Sequence, residues 1–344
     1  MSTSSRGHVL ITGAAGFTGH HMVIEAVKAG FRVRATDVSS RHYGAMFDAL
    51  GVEFVASNLT KRQGLEALLD GIDAVLHVAG IHDYSTPRGV MFSVNVGAVE
   101  NICSACVTTG VDRFIHLSSV GVYGYDWHSG IPVKEEGAKL TPPRNSYNES
   151  KWEGEKVVKR YEAERGLRAT ILRPAAIYGI RSEYGLFNAI KQVCSDRGKK
   201  RMMMVGSGDQ IEAFVHVEDV CRAVIHALDN DSMIGEAYNV SDDSRITTAM
   251  FFNLICGELF GVQKDFIRIP VRILAPIAAV SQVVAKLVGR KPLLEKATVQ
   301  YMACDRIWDN AKLKGTGFTF KYPIVENGMR ETLRWYKDNG WLSL

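Results

Sequence analysis

Val9-Leu-Ile-Thr-Gly-Ala-Ala-Gly-Phe-Thr-Gly19 decides the fold, because it joins a short β-branched run to a helical segment through three spaced glycines. Gly13 permits a tight turn, Gly16 removes a side chain where backbone must approach a phosphate, and Gly19 lets the helix pack closely. The helix N-terminus presents free N–H groups and partial positive charge to an anion. The GxxGxxG spacing is one residue longer in its first gap than the G-x-G-x-x-G fingerprint. We predict a dinucleotide pyrophosphate site that includes Gly13, Gly16, Phe17, Thr18 and Gly19.

The first 180 residues alternate short β-branched runs with helical stretches, two of them predicted over Asn95–Thr109 and Ser146–Arg165. Such alternation is typical of a parallel sheet covered by helices on both faces. After Gly179 the regularity fades. We predict an α/β protein: a Rossmann doubly wound parallel sheet over residues 1–180, then a smaller mixed α/β substrate domain over residues 181–344 that partly returns to the sheet around residues 213–242.

Small or polar residues stand where the predicted strands end. Ligands of open α/β sheets bind beyond the carboxyl ends of the strands. We therefore expect these residues to border one shared crevice: Gly13, Asp37, Val78, Ala79, Gly80, Ser119 and Pro174. The glycine loop and the residues that follow the other strands are expected to contact the cofactor there.

Asp37 ends the second predicted strand, 24 residues after Gly13. A carboxylate there accepts the ribose hydroxyls of NAD and repels a 2′-phosphate. NAD is therefore the predicted cofactor and NADP the less favoured one. The nearby Arg41 is the residue that would favour NADP, because an arginine at this place can bind a 2′-phosphate. Asn58 and Leu59 follow the third strand, where a polar side chain would meet the adenine edge, and both are predicted to contact the cofactor.

Tyr147 and Lys151 are four residues apart at a predicted helix start, so they share a face. Ser146 and Glu149 form a capping-box pattern that places Tyr147 in the first turn. Lowering a tyrosine pKa by about three units requires roughly 4 kcal/mol, and one ammonium at about 4 Å supplies that order of energy at an effective dielectric of 20. We predict Tyr147 as the acid/base, Lys151 as its cation and Ser119 as the hydroxyl that holds the substrate oxygen.

His82, Asp83 and Tyr84 follow Gly80 and are predicted, with Ser119, to touch the substrate. The pair His20-His21 starts a helix and is interpreted as a solvated or capping pair rather than a metal site. We expect no metal, because no constellation has convincing ligand spacing.

The chain is nearly balanced in charge, with 41 basic and 37 acidic residues among 344. That balance and the lack of a basic stripe argue against nucleic acid as a partner. The six scattered cysteines, with no second pair beside the CxxC at Cys103–Cys106, favour a reducing compartment, and we expect a cytoplasmic protein.

The segment Ile269–Val288 is the most hydrophobic, and Ile273–Ala285 carries no charge. A membrane span needs about 20 apolar residues, and Pro276 interrupts this shorter run. Three interpretations stay open for residues 273–285: a buried helix pair, a lid over a hydrophobic substrate, or a peripheral membrane contact.

The chain resembles the extended branch of the short-chain dehydrogenase/reductase family, the NAD-dependent epimerase/dehydratase superfamily. The resemblance rests on matching stretches along the first 220 residues: Ile11–Gly19, Asp73–Gly80, Asn95–Gly97, Leu117–Gly124, Tyr147–Lys151, Leu172–Gly179 and Phe214–Val220. It implies a Rossmann domain, a nicotinamide cofactor, a Ser-Tyr-Lys triad and a homodimer. It also implies that Asn95, Tyr147, Lys151 and Ile177 contact the cofactor.

Departures from the family patterns favour one group within it. Sugar-nucleotide enzymes usually carry an Asn at the place of Ala176 and a phosphate-binding Arg at the place of Glu212; the dehydratases carry an Asp-Glu pair at the place of Val120-Gly121. The chain is more similar to the 3β-hydroxysteroid dehydrogenase group, with its apolar segment after Ile269-Pro270. We therefore predict an NAD-dependent oxidoreductase for a secondary alcohol or ketone of a largely apolar substrate. The alternatives are a nucleotide-sugar epimerase, with Arg181, Arg201 or Arg268 as other phosphate ligands, and a non-catalytic dinucleotide sensor.

Overall fold

The computed structural model describes residues 6–124, 130–137, 143, 145–288, 299, 302 and 304–342. Its strands are β1 (His8–Thr12), β2 (Arg32–Asp37), β3 (Glu53–Ala56), β4 (Ala74–His77), β5 (Arg113–Leu117), β6 (Ala169–Pro174), β7 (Ala176–Tyr178), β8 (Arg201–Val205), β9 (Ile211–Glu212), β10 (Phe214–His216), β11 (Ala237–Val240), β12 (Ile246–Thr247) and β13 (Asp265–Ile269). Its helices are α1 (Phe17–Lys28), α2 (Gly44–Ala49), α3 (Leu65–Leu68), α4 (Arg88–Phe92), α5 (Ala98–Thr109), α6 (Ser146–Arg165), α7 (Leu186–Ser195), α8 (Val217–Leu228), α9 (Thr248–Phe260), α10 (Val271–Leu287), α11 (Ala311–Gly315) and α12 (Val325–Asp338).

Seven strands form one parallel sheet in the order β11-β6-β5-β4-β1-β2-β3. The predicted doubly wound α/β fold is therefore confirmed. The strand order reverses between β1 and β4, and connections that leave a parallel sheet in opposite directions open a crevice at that point. The glycine loop after β1 and the residues after β4 flank this crevice.

The sheet is buried on both faces because its central strands are apolar throughout. Along β1, Val9 and Ile11 pack into the core under α1 and α8, whereas Leu10 packs into the core under α3, α5 and α6. This alternation follows from the two-residue period of a strand. Each such fully buried aliphatic side chain contributes roughly 1.5–3 kcal/mol, so the two cores fix the strand ends that carry the site.

The helix that crosses from β4 to β5 begins earlier than Asn95, where the sequence predicted it. It starts with α4 at Arg88, passes through a π-helical turn over Ser93–Gly97 and continues as α5. The continuous helix Arg88–Thr109 has the length and apolar composition of a membrane span, although 44% of its most apolar window is buried within the protein. Its packing against α3 and α6 accounts for that apolar character.

From β7 onward, every strand except β11 belongs to a two-stranded sheet: β7 pairs with β10, β8 with β13, and β9 with β12. Helices α7, α9 and α12 enclose a third core here. α8 packs against α1, and β11 extends the large sheet beside β6. The division of the chain at residue 180 stays a prediction.

Candidate active site

The glycine loop is held against the residues after β4. Gly13 has a φ of +67°, and a Cβ on it would lie 2.6 Å from the Cα of Ala79. A Cβ on Gly19 would lie 1.9 Å from the Gly13 carbonyl oxygen. Both positions therefore require glycine, and α1 begins after Gly16, whose lack of a side chain leaves space for a phosphate at the first turn.

Asp37 lies against the same loop at the end of β2. Its carboxylate accepts the Ala15 amide at 3.2 Å and the Val38 amide at 2.7 Å. An ionised carboxylate offers about four acceptor positions, so capacity remains for ribose hydroxyls. The residues fit NAD: glycine backbone for the pyrophosphate and a negative charge that repels a 2′-phosphate.

Two other predicted cofactor residues use their side chains within the protein. The Asn58 side-chain oxygen accepts the backbone and hydroxyl of Thr60, at 3.0 and 2.8 Å, which closes a turn after β3. Buried Asn95 exchanges two hydrogen bonds with the Ile81 backbone and donates to Ser150 at 2.9 Å. Asn95 therefore holds the loop after β4 to α6, and direct contact of either residue with a cofactor stays a prediction.

The remaining predicted cofactor residues border the crevice. Leu59 is buried in the core below α3, and Pro174 ends β6. Val78 and Ile177 pack at the edge of the core under α1. Their contact with a cofactor is untested.

Lys151 is buried between the ends of β4 and β5. Its ammonium donates to the Leu117 carbonyl at 2.9 Å, and a Cβ on Gly80 would lie 3.2 Å from its Nζ. Burial lowers the pKa of Lys151 to about 8, and the Glu155 carboxylate opposes that shift. A cation is thereby held beside Gly80 and the end of β5.

Tyr147 lies in the first turn of α6, one turn before Lys151. The helix cap is Asn145, whose side chain accepts the Asn148 amide at 2.8 Å, and not Ser146 as the capping-box pattern predicted. Glu149 forms an exposed ion pair with Arg88 instead. The predicted position of Tyr147 is nevertheless confirmed, because the helix begins at Ser146.

Ser119 follows β5 and precedes a turn that packs against α6. Its hydroxyl accepts the Gly121 amide at 3.0 Å, which begins a 3₁₀ turn over Val120–Tyr123. A Cβ on Gly121 would lie 2.4 Å from Oδ1 of buried Asn148 and 3.2 Å from Oγ of Ser119. A side chain at residue 121 would therefore displace the Asn148 amide.

The sequence analysis missed Glu155, which lies one turn beyond Lys151. Arg173 forms a buried bidentate pair with it, at 2.9 and 2.7 Å, and Ser118 donates to it at 2.5 Å. Burial by itself would lower the pKa of Arg173, but the Glu155 carboxylate raises it. The spacing Tyr147, Lys151, Glu155 was the available signal, because residues four apart share one helix face.

The predicted substrate residues after Gly80 have different surroundings. Tyr84 packs edge-on against Tyr147, with ring centroids 5.5 Å apart. Asp83 accepts the backbone and hydroxyl of Ser85 and so closes its own turn. His82 packs on Tyr184 at 4.0 Å. Tyr84 is thus placed beside the predicted acid/base, and substrate contact by all three stays a prediction.

Tyr184 also escaped the sequence analysis. Its hydroxyl accepts the Phe17 amide at 3.4 Å, and this amide is one of the N–H donors at the start of α1 that have no partner within the helix. Its ring lies between Phe17 and His82. No local pattern marks it, because Phe17 and Tyr184 are 167 residues apart.

Glu212 is paired within the protein. Buried Arg306 donates to it from Nε at 3.0 Å and also from its terminal nitrogen, and Thr248 donates at 2.7 Å. Arg181 lines a cavity of about 320 Å³ with His42, Tyr43, Met46 and Trp341, near the end of β2. Arg268 donates to the Ser207 carbonyl, and Arg201 is exposed at the start of β8.

The pair His20-His21 is buried, so its interpretation as a solvated pair is wrong. His20 Nδ1 bonds to the Gly16 carbonyl oxygen at 2.9 Å, and its ring stacks on Tyr43. Burial lowers the pKa of His20 to about 3. Both residues therefore serve the packing of α1. Within the described residues no three His, Cys, Asp or Glu side chains form a metal-like group.

The doubly wound sheet, the glycine loop after β1 and the acidic residue after β2 are those of the extended short-chain dehydrogenase/reductase fold. The chain belongs to the NAD dependent epimerase/dehydratase family, whose family model matches residues 9–241. The family and the NAD cofactor that the sequence predicted are therefore confirmed.

Similar curated proteins include both chemistries of the family. An Escherichia coli O157:H7 protein named N-acetyl-alpha-D-glucosaminyl-diphospho-ditrans,octacis-undecaprenol 4-epimerase is 26% identical over 95% of this chain and 95% of its own. The Arabidopsis thaliana 3beta-hydroxysteroid-dehydrogenase/decarboxylase isoform 1 is 26% identical over 96% of this chain and 80% of its own. These relatives establish an enzyme family with oxidoreductase and epimerase members.

Solved structures show the same fold. The dTDP-glucose 4,6-dehydratase of Streptomyces venezuelae, solved with NAD, superposes with a TM-score of 0.78 at 22% identity, covering 97% of this chain and 98% of that one. The UDP-glucose 4-epimerase of Thermotoga maritima gives 0.77 at 21% identity, covering 96% and 99%. At these identities the likeness defines the fold.

Proposed function

We propose that the protein is an NAD-dependent oxidoreductase that transfers a hydride between a secondary alcohol or ketone of a largely apolar substrate and the nicotinamide. The observation that carries this proposal is the buried Glu212–Arg306 pair. The Glu212 carboxylate and the Arg306 guanidinium neutralise each other, so this guanidinium is not available to bind the diphosphate of a sugar nucleotide. The sterol-related name of the Arabidopsis relative supports an apolar substrate.

Each residue of the set has one role in this reaction. The bound nicotinamide supplies the acceptor for the carbinol hydride. Tyr147 takes the hydroxyl proton as the carbonyl forms, and Ser119 donates a hydrogen bond to the same oxygen. Lys151 favours the tyrosinate by its charge, since an ammonium at about 4 Å contributes on the order of 4 kcal/mol at an effective dielectric of 20.

A nucleotide-sugar or lipid-linked sugar epimerase is the second candidate. The Escherichia coli relative, which this chain matches over nearly the whole length of both, is named as such an enzyme. Transient oxidation would use the same Ser119, Tyr147 and Lys151. A dehydratase is disfavoured because Val120-Gly121 provides no acidic side chain at the place where the dehydratases carry an Asp-Glu pair.

The test incubates the protein with NAD and a panel of hydroxysteroids, alicyclic alcohols and β-hydroxy acids, and it measures the absorbance of the reduced nicotinamide. UDP-sugars are incubated in parallel, and their conversion is measured by product chromatography. We expect net NADH from an apolar alcohol, reduced by roughly 10²–10⁴-fold in Tyr147→Phe. Tyr161→Phe is the matched control on α6, because that hydroxyl bonds to side chains of α5, Glu100 at 2.7 Å and Ser104. A converted UDP-sugar without net NADH would overturn the oxidoreductase proposal.

A homodimer and a cytoplasmic location are proposals that accompany this function. No two of the six cysteines, all of which lie in the described part of the chain, are joined in a disulfide. Such usage is compatible with a reducing compartment. Light scattering of the purified protein measures the assembly directly.

A further inference from the structure

Helix α10 has the reverse of the polarity expected at a water-facing surface. Its buried positions are the small residues Ala278 and Ala285. Large aliphatic side chains point outward instead and are between 50% and 81% exposed. We call them the outer face of α10: Ile273, Ile277, Val280, Val283, Val284 and Leu287. A surface helix normally turns such a stripe toward the core, so this face is built for contact with something apolar.

The strand that leads into α10 continues the same exposure. Ile267 of β13 is 49% exposed and is the register partner of Met203 in β8, which is 70% exposed. Paired residues of neighbouring strands lie on one face of a sheet. A second apolar patch, formed by Ile267 and Met203, therefore lies three residues before Pro270, the N-cap of the helix.

The sequence segment that contains α10 is basic, and this composition indicates the kind of surface that the helix fits. Residues 265–300 contain six basic and two acidic residues, a net of +4 that equals the net charge of the whole 344-residue chain. The rest of the protein is thus neutral. Arg268 and Arg272, on either side of the helix start, are exposed. An exposed apolar stripe with a local positive charge complements an anionic lipid surface.

We propose that the outer face of α10 lies in the interface of an anionic phospholipid membrane, with the helix parallel to the surface. The helix has 17 residues, fewer than the roughly 20 that cross a bilayer. Its length and its inner alanine contacts favour lying on the membrane over spanning it. The proposal goes beyond the proposed function and does not depend on it, because membrane binding is measured without turnover.

The test is co-sedimentation of the full chain with vesicles of phosphatidylcholine alone and of phosphatidylcholine with phosphatidylglycerol. We expect the anionic vesicles to bind roughly tenfold or more tightly, and added salt to weaken that binding. The double variant Ile277→Glu, Val280→Glu is expected to lose binding by more than about tenfold. Glutamate is a better helix former than isoleucine or valine, so the helix should persist.

Met250→Glu is the matched control. Met250 is 55% exposed in α9, near a helix start where an acidic residue is favourable, and its replacement should leave vesicle binding unchanged. Thermal unfolding of each variant verifies folding. The proposal is overturned by equal binding to both vesicles, by no binding to either, or by light scattering that shows the double variant dissociating a dimer formed through this face.

Discussion

Two buried arginine–carboxylate pairs, one in each half of the protein, have almost the same local chemistry. In the Arg173–Glu155 pair the side chains are 7% and 9% exposed, and Ser118 adds a hydrogen bond to the carboxylate. In the Arg306–Glu212 pair they are 3% and 11% exposed, and Thr248 adds the bond. The two pairs differ in what lies next to them.

Glu155 lies one helical turn from Lys151, and its charge opposes the effect of burial on the pKa of that lysine. Glu212 lies in β9, and its contacts are to Arg306 and Thr248. The comparison teaches that the same ion pair can serve stability alone or stability together with the acid–base set. Variants that remove one carboxylate at a time separate the two roles.

The largest expected effect is on stability, and it should be similar for both pairs. Glu155→Gln and Glu212→Gln each leave a buried guanidinium without its counter-charge, which costs about 3–5 kcal/mol. Urea denaturation followed by circular dichroism measures the change. Glu153→Gln, which removes an exposed pair with Lys156, should cost less than about 1 kcal/mol. A Glu155→Gln protein as stable as the parent would show that its carboxylate is dispensable.

The second effect distinguishes the pairs by the pH dependence of kcat/KM for oxidation. Lys151 has a pKa of about 8, and its protonated form stabilises the tyrosinate, so activity should fall above that pH. Glu155 favours the protonated lysine; removing its charge lowers the pKa of Lys151 and moves the alkaline limb to lower pH. Glu212→Gln should leave the limb in place. Identical profiles for the two variants would contradict a role of Glu155 at Lys151.

The sequence predicts those features whose cause is local. The glycine loop, Asp37 and the Tyr147–Lys151 spacing follow from neighbours along the chain, because turn geometry and helix periodicity determine them. The cap at Asn145 was missed because Ser146 and Glu149 offered a competing pattern of the same type.

Features that depend on contacts between distant segments could not be predicted from the sequence. The close approach to Gly121 comes from Asn148, which lies on a different element. The neutralisation of Glu212 comes from Arg306, 94 residues further along the chain. The early start of the helix at Arg88 reflects its packing against α6 rather than a start signal in the sequence.

The smallest expected effect tests whether the predicted second domain, residues 181–344, contributes to the cofactor site formed by residues 1–180. Tyr184 belongs to the second half, yet its hydroxyl oxygen occupies the Phe17 amide that a pyrophosphate oxygen would take. Tyr184→Phe frees that donor, and a hydrogen bond of net value about 0.5 kcal/mol corresponds to roughly twofold tighter NAD binding by calorimetry. Tyr161→Phe should leave the affinity unchanged. Weaker binding in Tyr184→Phe would instead mean that the hydroxyl turns to donate to the bound phosphate, so that the second half contributes a cofactor ligand of its own.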